Sequence, residues 1–134
     1  MFLITGGAGF IGSTIINHLV NRGEEVVSVD WHNNISKRYF QNFNFKVVDP
    51  LSLHTFLKTN KKKISVIIHL GAITSTTERD LNLIINNNIR LSLMLYEWCT
   101  KHEKRLIYES SAATYGSGEN GFNDMSDDEY LSQL

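Results

Sequence analysis

Apolar residues arrive along this chain in short blocks whose period changes from block to block. Phe2 to Thr5 is a brief apolar run cut off by Gly6-Gly7, which suits a strand buried on both faces. From Phe10 the spacing turns helical. Ile11, Ile15, Ile16, Leu19 and Val20 fall on one face, and Gly23 stands where a helix end takes a glycine. Glu25 to Asp30 reads as a second strand ending in an acid, and Phe45 to Val48 as a third, stopped by Asp49-Pro50. Leu51 to Lys58 reads as a short helix with Leu53, Phe56 and Leu57 on its apolar side. Ile64 to Leu70 is a fourth strand, ending at Gly71-Ala72. A polar loop, Thr74 to Thr77, is able to cap a helix. The helix after it is long, from about Asp80 to Lys101, with Leu81, Ile84, Ile85, Ile89, Leu93 and Tyr96 as its apolar stripe. Leu106 to Tyr108 is a fifth strand, ahead of Ser110-Ser111.

Strands alternating with helices imply an α/β fold. The expected form is a Rossmann-like doubly wound parallel sheet with right-handed crossovers, incomplete at about five strands. The last residues break the pattern. No Lys or Arg follows Arg105, while Glu119, Asp124, Asp127, Asp128 and Glu129 make the end acidic and Gly116, Gly118 and Gly121 loosen it. Residues 1–118 therefore read as the domain proper and 119–134 as an acidic loop or tail.

Composition narrows the function classes. The chain has 134 residues, one domain's worth, and a net charge of −1, so no strong field recruits nucleic acid or an anionic membrane. Lys61-Lys62-Lys63 reads as a solvated loop. No apolar run reaches the ~20 residues of a membrane span, and Met1 to Ile4 lacks the basic flank of a signal peptide. The lone Cys99 allows no internal disulfide and fits a reducing cytoplasm. No metal site is expected.

The chemistry begins at the first turn. Gly6, Gly9 and Gly12 form G-x-x-G-x-x-G directly after a strand and at the mouth of a helix. One glycine permits the turn, one lets the backbone approach a pyrophosphate, and one lets helix and strand pack closely. Backbone N–H groups at the helix start then meet the negative charge. The alternative is a tight β-α turn and nothing more. Asp30, at the end of strand two, can accept from adenosine ribose hydroxyls or simply close a strand-end turn. An acid there favours NAD, while Lys37 and Arg38 just beyond can neutralise the extra phosphate of NADP. Asp49 is placed either for an adenine edge or for a turn before Pro50.

The stretch Thr5-Gly6-Gly7-Ala8-Gly9-Phe10-Ile11-Gly12 resembles the extended short-chain dehydrogenase/reductase superfamily. Two further blocks narrow the likeness. His69 to Glu78 (HLGAITSTTE) is similar to the H-x-G-A-x-S-x-T-T-E block of the ADP-L-glycero-D-manno-heptose 6-epimerases. Ser110 to Gly116 (SSAATYG) matches their S-S-A-A-T-Y-G block, and Asn87-Asn88 their N-N pair. The similarity runs from Met1 to about Asp124.

The resemblance implies NADP, with NAD as the alternative, and an ADP-sugar substrate. It places Phe10 and Ile11 against the diphosphate and Asp30 and Trp31 near the adenosine ribose. Leu70, Gly71, Ala72, Ile73 and Thr74 line the cofactor, and Asn87 contacts it from the helix, unless Asn87 is merely a polar-face residue. Ser75, Thr76 and Thr77 would sit near the substrate or only cap the helix. Ser111 matches the catalytic serine that hydrogen-bonds the reacting sugar oxygen. His69 reads as a structural strand-end residue. The family's chemistry moves a hydride from the sugar to NADP and back to the other face, with a Y-x-x-x-K tyrosine as acid and base. Tyr115 belongs to the T-Y-G block, Tyr130 is followed at the fourth place by Leu134, and no Y-x-x-x-K occurs. Glu109 departs from a small residue, and burying its carboxylate would cost several kcal/mol unless it were paired or protonated. Ile73 and Thr74 vary the loop after strand four.

Three functions are compatible with these residues. The leading one is the N-terminal, cofactor-binding part of a nucleotide-sugar epimerase, an isomerase of lipopolysaccharide heptose synthesis, inactive on its own. The second is a non-catalytic dinucleotide-binding module, self-associating or completed by another chain at an open strand-five edge. The third is a UDP-hexose 4-epimerase or sugar-nucleotide dehydratase fragment, against which the T-T-E block weighs.

Overall fold

A computed structural model describes residues 1–35, 44–119, 121–123, 128 and 132. Lys37, Arg38, Tyr130 and most of the acidic tail, including Asp124, Asp127 and Glu129, lie outside the described residues. Among those described, five strands form one parallel sheet in the order β3-β2-β1-β4-β5. The strands are β1 (Phe2–Thr5), β2 (Val26–Val29), β3 (Lys46–Val48), β4 (Val66–His69) and β5 (Arg105–Tyr108). The first four lie within stretches where the apolar runs predict a strand, and β5 begins one residue earlier than its apolar run, at Arg105. The inner strands β1, β2 and β4 are covered on both faces, so their sequences read as apolar runs that are easy to find.

The sheet register sorts the core. Leu3, Val27 and Ile67 are aligned across β2-β1-β4, as are Ile4, Ser28 and Ile68 one residue on. Successive side chains point to opposite faces, so these rows feed two separate cores. On one face Ile4, Val26 and Ile68 pack against Ile16 and Val20 of helix α1 (Phe10–Asn21). On the other, Leu3, Val27, Val29, Val48 and Ile67 pack against two helices. These are α2 (Leu53–Asn60) and α4 (Leu91–Lys101), which supply Leu53, Phe56, Leu57, Leu95 and Cys99. Leu3, Ile4, Ile16, Ile64, Ile67 and Leu95 are fully buried, each contributing about 1.5–3 kcal/mol.

The helix boundaries follow local chemistry. α1 ends at Arg22, and Gly23 takes φ +76°, the left-handed conformation that stops a helix. A 3-10 turn over Pro50–Ser52, capped by the Asp49 carboxylate on the Leu51 amide at 2.8 Å, leads into α2. Asp49 thus serves the turn before Pro50.

Beyond β4 the expected helix runs unbroken from Leu81 to Lys101, but its period, its cap and its buried face differ from expectation. It consists of α3 (Leu81–Ile84), a π-helical segment over Ile85–Arg90, and α4. Its cap is Asp80, whose carboxylate accepts the Leu83 amide at 3.1 Å, and not the Thr74–Thr77 loop. Most of the predicted stripe is turned outward: Leu81, Ile85, Ile89, Leu93 and Tyr96 are exposed, and Ile84 is half-buried. α4 instead buries Leu95 and Cys99, with Leu91, Met94 and Trp98 packed alongside. Burial raises the Cys99 thiol pKa. Glu109 is exposed, so the expected desolvation cost does not arise.

Candidate functional site

All five strands are parallel, so their C-terminal ends share one edge of the sheet. Strand order reverses direction between β1 and β4. The crevice beyond the strand ends at such a switch point is where open α/β sheets take their ligands. Four segments singled out by sequence emerge at this edge: Gly6–Gly12 after β1, Asp30–Trp31 after β2, Leu70–Thr74 after β4, and Ser110–Ser111 after β5.

The glycine turn is shaped by contacts that exclude side chains. Gly6 has φ +71°, and a Cβ on it would stand 2.8 Å from the Gly71 backbone. A Cβ on Gly12 would strike the Gly6 carbonyl oxygen, and one on Gly7 would strike Ser28 Oγ on β2. The turn closes through Gly9 N–H to Gly6 O at 3.1 Å, and the first bond of α1 runs from Ser13 N–H to Gly9 O at 2.9 Å. The Phe10, Ile11 and Gly12 amides precede that bond, where a helix leaves its donors unsatisfied. No side chain caps α1 and no acid lies in its first turn. The helix mouth is therefore a positive dipole end with amide donors open to an anion. Phe10 and Ile11 flank it, both exposed.

Asp30 reaches into this turn. Its Oδ2 accepts the Ala8 amide at 3.0 Å, and its Oδ1 accepts the Trp31 amide at 2.8 Å and Asn34 Nδ2 at 3.0 Å. It thus holds the glycine turn and the start of the following 3-10 turn (His32–Asn34) in one grip. Trp31 stands beside it, half exposed.

The loop after β4 is fixed by residues whose roles the sequence did not reveal. Asn88, on the π-helical segment, accepts the Ile73 amide at 2.7 Å and donates to the Ile73 carbonyl at 2.9 Å. Asn87, the expected cofactor contact, donates to Leu83 O at 2.8 Å within its own helix. His69 is almost completely buried, between Thr5 Oγ1 at 2.6 Å and Ser92 Oγ at 2.9 Å. Burial lowers its pKa. Ser75 and Thr77 bond each other at 3.0 Å on an exposed turn that also holds Thr76. Ser111 is exposed. Its Oγ accepts the Ala113 amide at 3.2 Å, which starts a 3-10 turn over Ala112–Tyr115.

Of two hollows among the described residues, one lies away from the strand-end edge and one beside it. One, of about 620 Å³, opens at the opposite end of the sheet around Met1, Glu25, Lys46 and Lys63. The other is an apolar groove of about 310 Å³ between the helix and β5, lined by Ile89, Leu93, Tyr96, Leu106 and Tyr108. Hollow volume does not mark the site; open backbone donors beside close-packed glycines do.

Comparison with known proteins fits this geometry. Residues 2–133 match the NAD dependent epimerase/dehydratase family, beyond the Asp124 limit read from motifs. The chain is 39% identical over 132 residues to the ADP-L-glycero-D-manno-heptose-6-epimerase of Nitratidesulfovibrio vulgaris strain DP4, covering 92% of this chain and 40% of that protein. It is 37% identical over 142 residues to the enzyme of the same name from Fusobacterium nucleatum, covering all of this chain and 42% of that one. The chain thus spans about two fifths of the length of the curated relatives it matches. Among solved structures, the UDP-glucuronic acid 4-epimerase from Bacillus cereus in complex with NAD aligns with a TM-score of 0.68 and 30% identity, over 87% of this chain and 41% of that one. The Bordetella bronchiseptica enzyme WbmG, in complex with NAD and UDP, shares the fold at a TM-score of 0.74 and 22% identity, over 92% and 42% of the two chains.

Proposed function

The chain belongs to the NAD dependent epimerase/dehydratase family, and from that premise we propose that it forms the dinucleotide-holding part of a nucleotide-sugar epimerase acting on an ADP-heptose. The observation that carries this reading is the uncapped mouth of α1 beside the Gly6–Gly71 and Gly12–Gly6 approaches. A cradle that a single Cβ would fill, ringed by free amides, fits a diphosphate. The Phe10, Ile11 and Gly12 amides hold that group, Asp30 and Trp31 take the adenosine ribose, and Leu70 to Thr74 lie along the rest of the cofactor. When bound there, a nicotinamide supplies a hydride acceptor that can return the hydride to the opposite face of a sugar carbon. We take NADP as the preferred form, by the heptose-epimerase motifs. Ser111 would hydrogen-bond the reacting sugar oxygen, with Ser75, Thr76 and Thr77 nearby. The setting is the cytoplasm, where Cys99 stays reduced.

These 134 residues contain no Y-x-x-x-K. The 134-residue chain is therefore expected to bind and not to turn over. Incubating it with NADP and either ADP-glycero-manno-heptose epimer should leave that epimer unchanged by anion-exchange chromatography. Interconversion of the two would overturn this assignment of roles.

A second reading rests on β5. Ile107 and Tyr108 are exposed on this edge strand, and Tyr108 with Leu106 lines the groove beside the outward Ile89, Leu93 and Tyr96. An open apolar edge of this kind pairs with other chains. On this reading a second polypeptide, or a second copy, covers the groove. Sedimentation velocity should show self-association that grows with concentration, and a strictly monomeric chain at high concentration would rule out the second copy.

A further inference from the structure

A buried polar chain runs behind the proposed cofactor edge, and the roles above do not use it. Gly71 N–H donates to Thr5 Oγ1 at 3.1 Å, and Thr5 Oγ1 lies 2.6 Å from His69 Nδ1. On the other side of the ring, His69 Nε2 lies 2.9 Å from Ser92 Oγ, and Ser92 Oγ donates to the Asn88 carbonyl at 3.0 Å. Asn88 then closes on Ile73 with both ends of its amide.

The two ends of this chain set its direction. A backbone carbonyl only accepts, so the Ser92 proton goes to Asn88, and Ser92 Oγ must accept from His69 Nε2–H. With the neutral ring's one proton on Nε2, Nδ1 accepts, so Thr5 Oγ1 takes the Gly71 N–H and gives its own proton to His69 Nδ1. Every group is satisfied by one imidazole form, the neutral ring with its proton on Nε2. Both termini land on the loop after β4, at Gly71 and at Ile73. Thr5 is also the last residue before the glycine turn, and its carbonyl accepts the Leu70 amide at 3.2 Å. The circuit therefore ties the two turns at the cofactor edge to the π-helical segment. Such segments within helices are frequent at functional sites.

We propose that Thr5, His69, Ser92 and Asn88 are positioning residues that set the Leu70–Thr74 loop against the glycine turn, with His69 as a neutral relay carrying its proton on Nε2. The proposal rests on the reading of this edge as a dinucleotide site. It also gives acid a defined effect. A protonated ring donates from both nitrogens, so Thr5 Oγ1 would have to accept from His69 as well as Gly71 and turn its own proton elsewhere. The groups facing the ring are Thr5 from β1, Ser92 from α4 and, from β5, the Tyr108 ring at 5.6 Å between centroids. The Glu109 amide binds the His69 carbonyl at 3.1 Å, while its side chain is exposed. Desolvation of the ring acts in the same direction, toward the neutral form.

Nitrogen-15 NMR of the ligand-free chain should find His69 protonated at Nε2 alone, which needs no variant. Ser92→Ala should speed amide exchange at Gly71 and Ile73 while leaving Leu3 and Ile67 protected, and should weaken NADP binding about five- to tenfold. Ser92→Thr, which keeps the hydroxyl, should restore both. Lowering pH from about 8 to about 5.5 should weaken NADP binding by the wild-type chain more than by His69→Gln. A proton on Nδ1, or unchanged exchange at Gly71 and Ile73 in Ser92→Ala, overturns the relay. A wild-type chain that takes up neither NADP nor NAD while showing the predicted tautomer and exchange overturns the cofactor role instead.

Discussion

The Asp30 carboxylate meets three N–H donors, from Ala8, Trp31 and Asn34. A carboxylate offers about four acceptor sites, so three hold the turn and the proposed ribose contact would use the fourth. Position in the sequence marked Asp30 as an acid at the end of a strand, but its grip on Ala8 spans 22 residues and depends on β1 lying beside β2. Asp30→Ala should therefore lower folding stability by about 1–2 kcal/mol in urea denaturation, besides weakening dinucleotide binding. An unchanged midpoint would mean the turn holds itself. His69 makes the pH dependence specific. Burial puts its folded pKa below the ordinary 6.5, so below that value the unfolded chain binds more protons than the folded one, and stability rises with pH there. Its contribution is complete above pH 6.5 and is lost as pH falls toward the folded value. The acid-side slope of stability should flatten in His69→Gln; an identical slope would assign the loss to other groups. The glycines were legible because their spacing is local. Asn88 and Ser92 were not, because their partners lie 15 and 23 residues away in sequence and meet only through packing.

At the level of elements, the inner strands β1, β2 and β4 were readable because strands covered on both faces leave no polar alternation to confuse the pattern, while the more exposed β3 and β5 were readable from their short apolar runs. The helix after β4 was only half readable. Its apolar stripe is present in the sequence, yet Leu93 and Tyr96 face out while Leu95 and Cys99 are buried. Periodicity reports that a face is apolar, not which surface covers it. The π-helical insertion changes the phase between α3 and α4, which a fixed 3.6-residue period does not anticipate. The start of the helix likewise rests on Asp80 and not on the threonines before it. Asp80→Ala should cost about 0.5–2 kcal/mol, the usual worth of an N-cap, measured by thermal denaturation. Thr77→Ala should cost less, and the reverse ranking would return the cap to the Thr74–Thr77 loop.

For the molecule as a whole, the sheet order, the paired cores and the shared strand-end edge bring the proposed binding segments to one side of the sheet. The match to curated relatives covers about two fifths of their length, and within this stretch lie the glycine turn, Asp30, the loop after β4 and Ser111. Binding is the claim on which the remaining assignments depend. Isothermal titration calorimetry of the folded 134-residue chain with NADP and with NAD tests it most directly. Saturable uptake of one dinucleotide per chain is expected, with a Kd below about 1 mM and NADP the tighter. Absence of saturable heat for both, in a chain whose circular dichroism shows it folded, would contradict it.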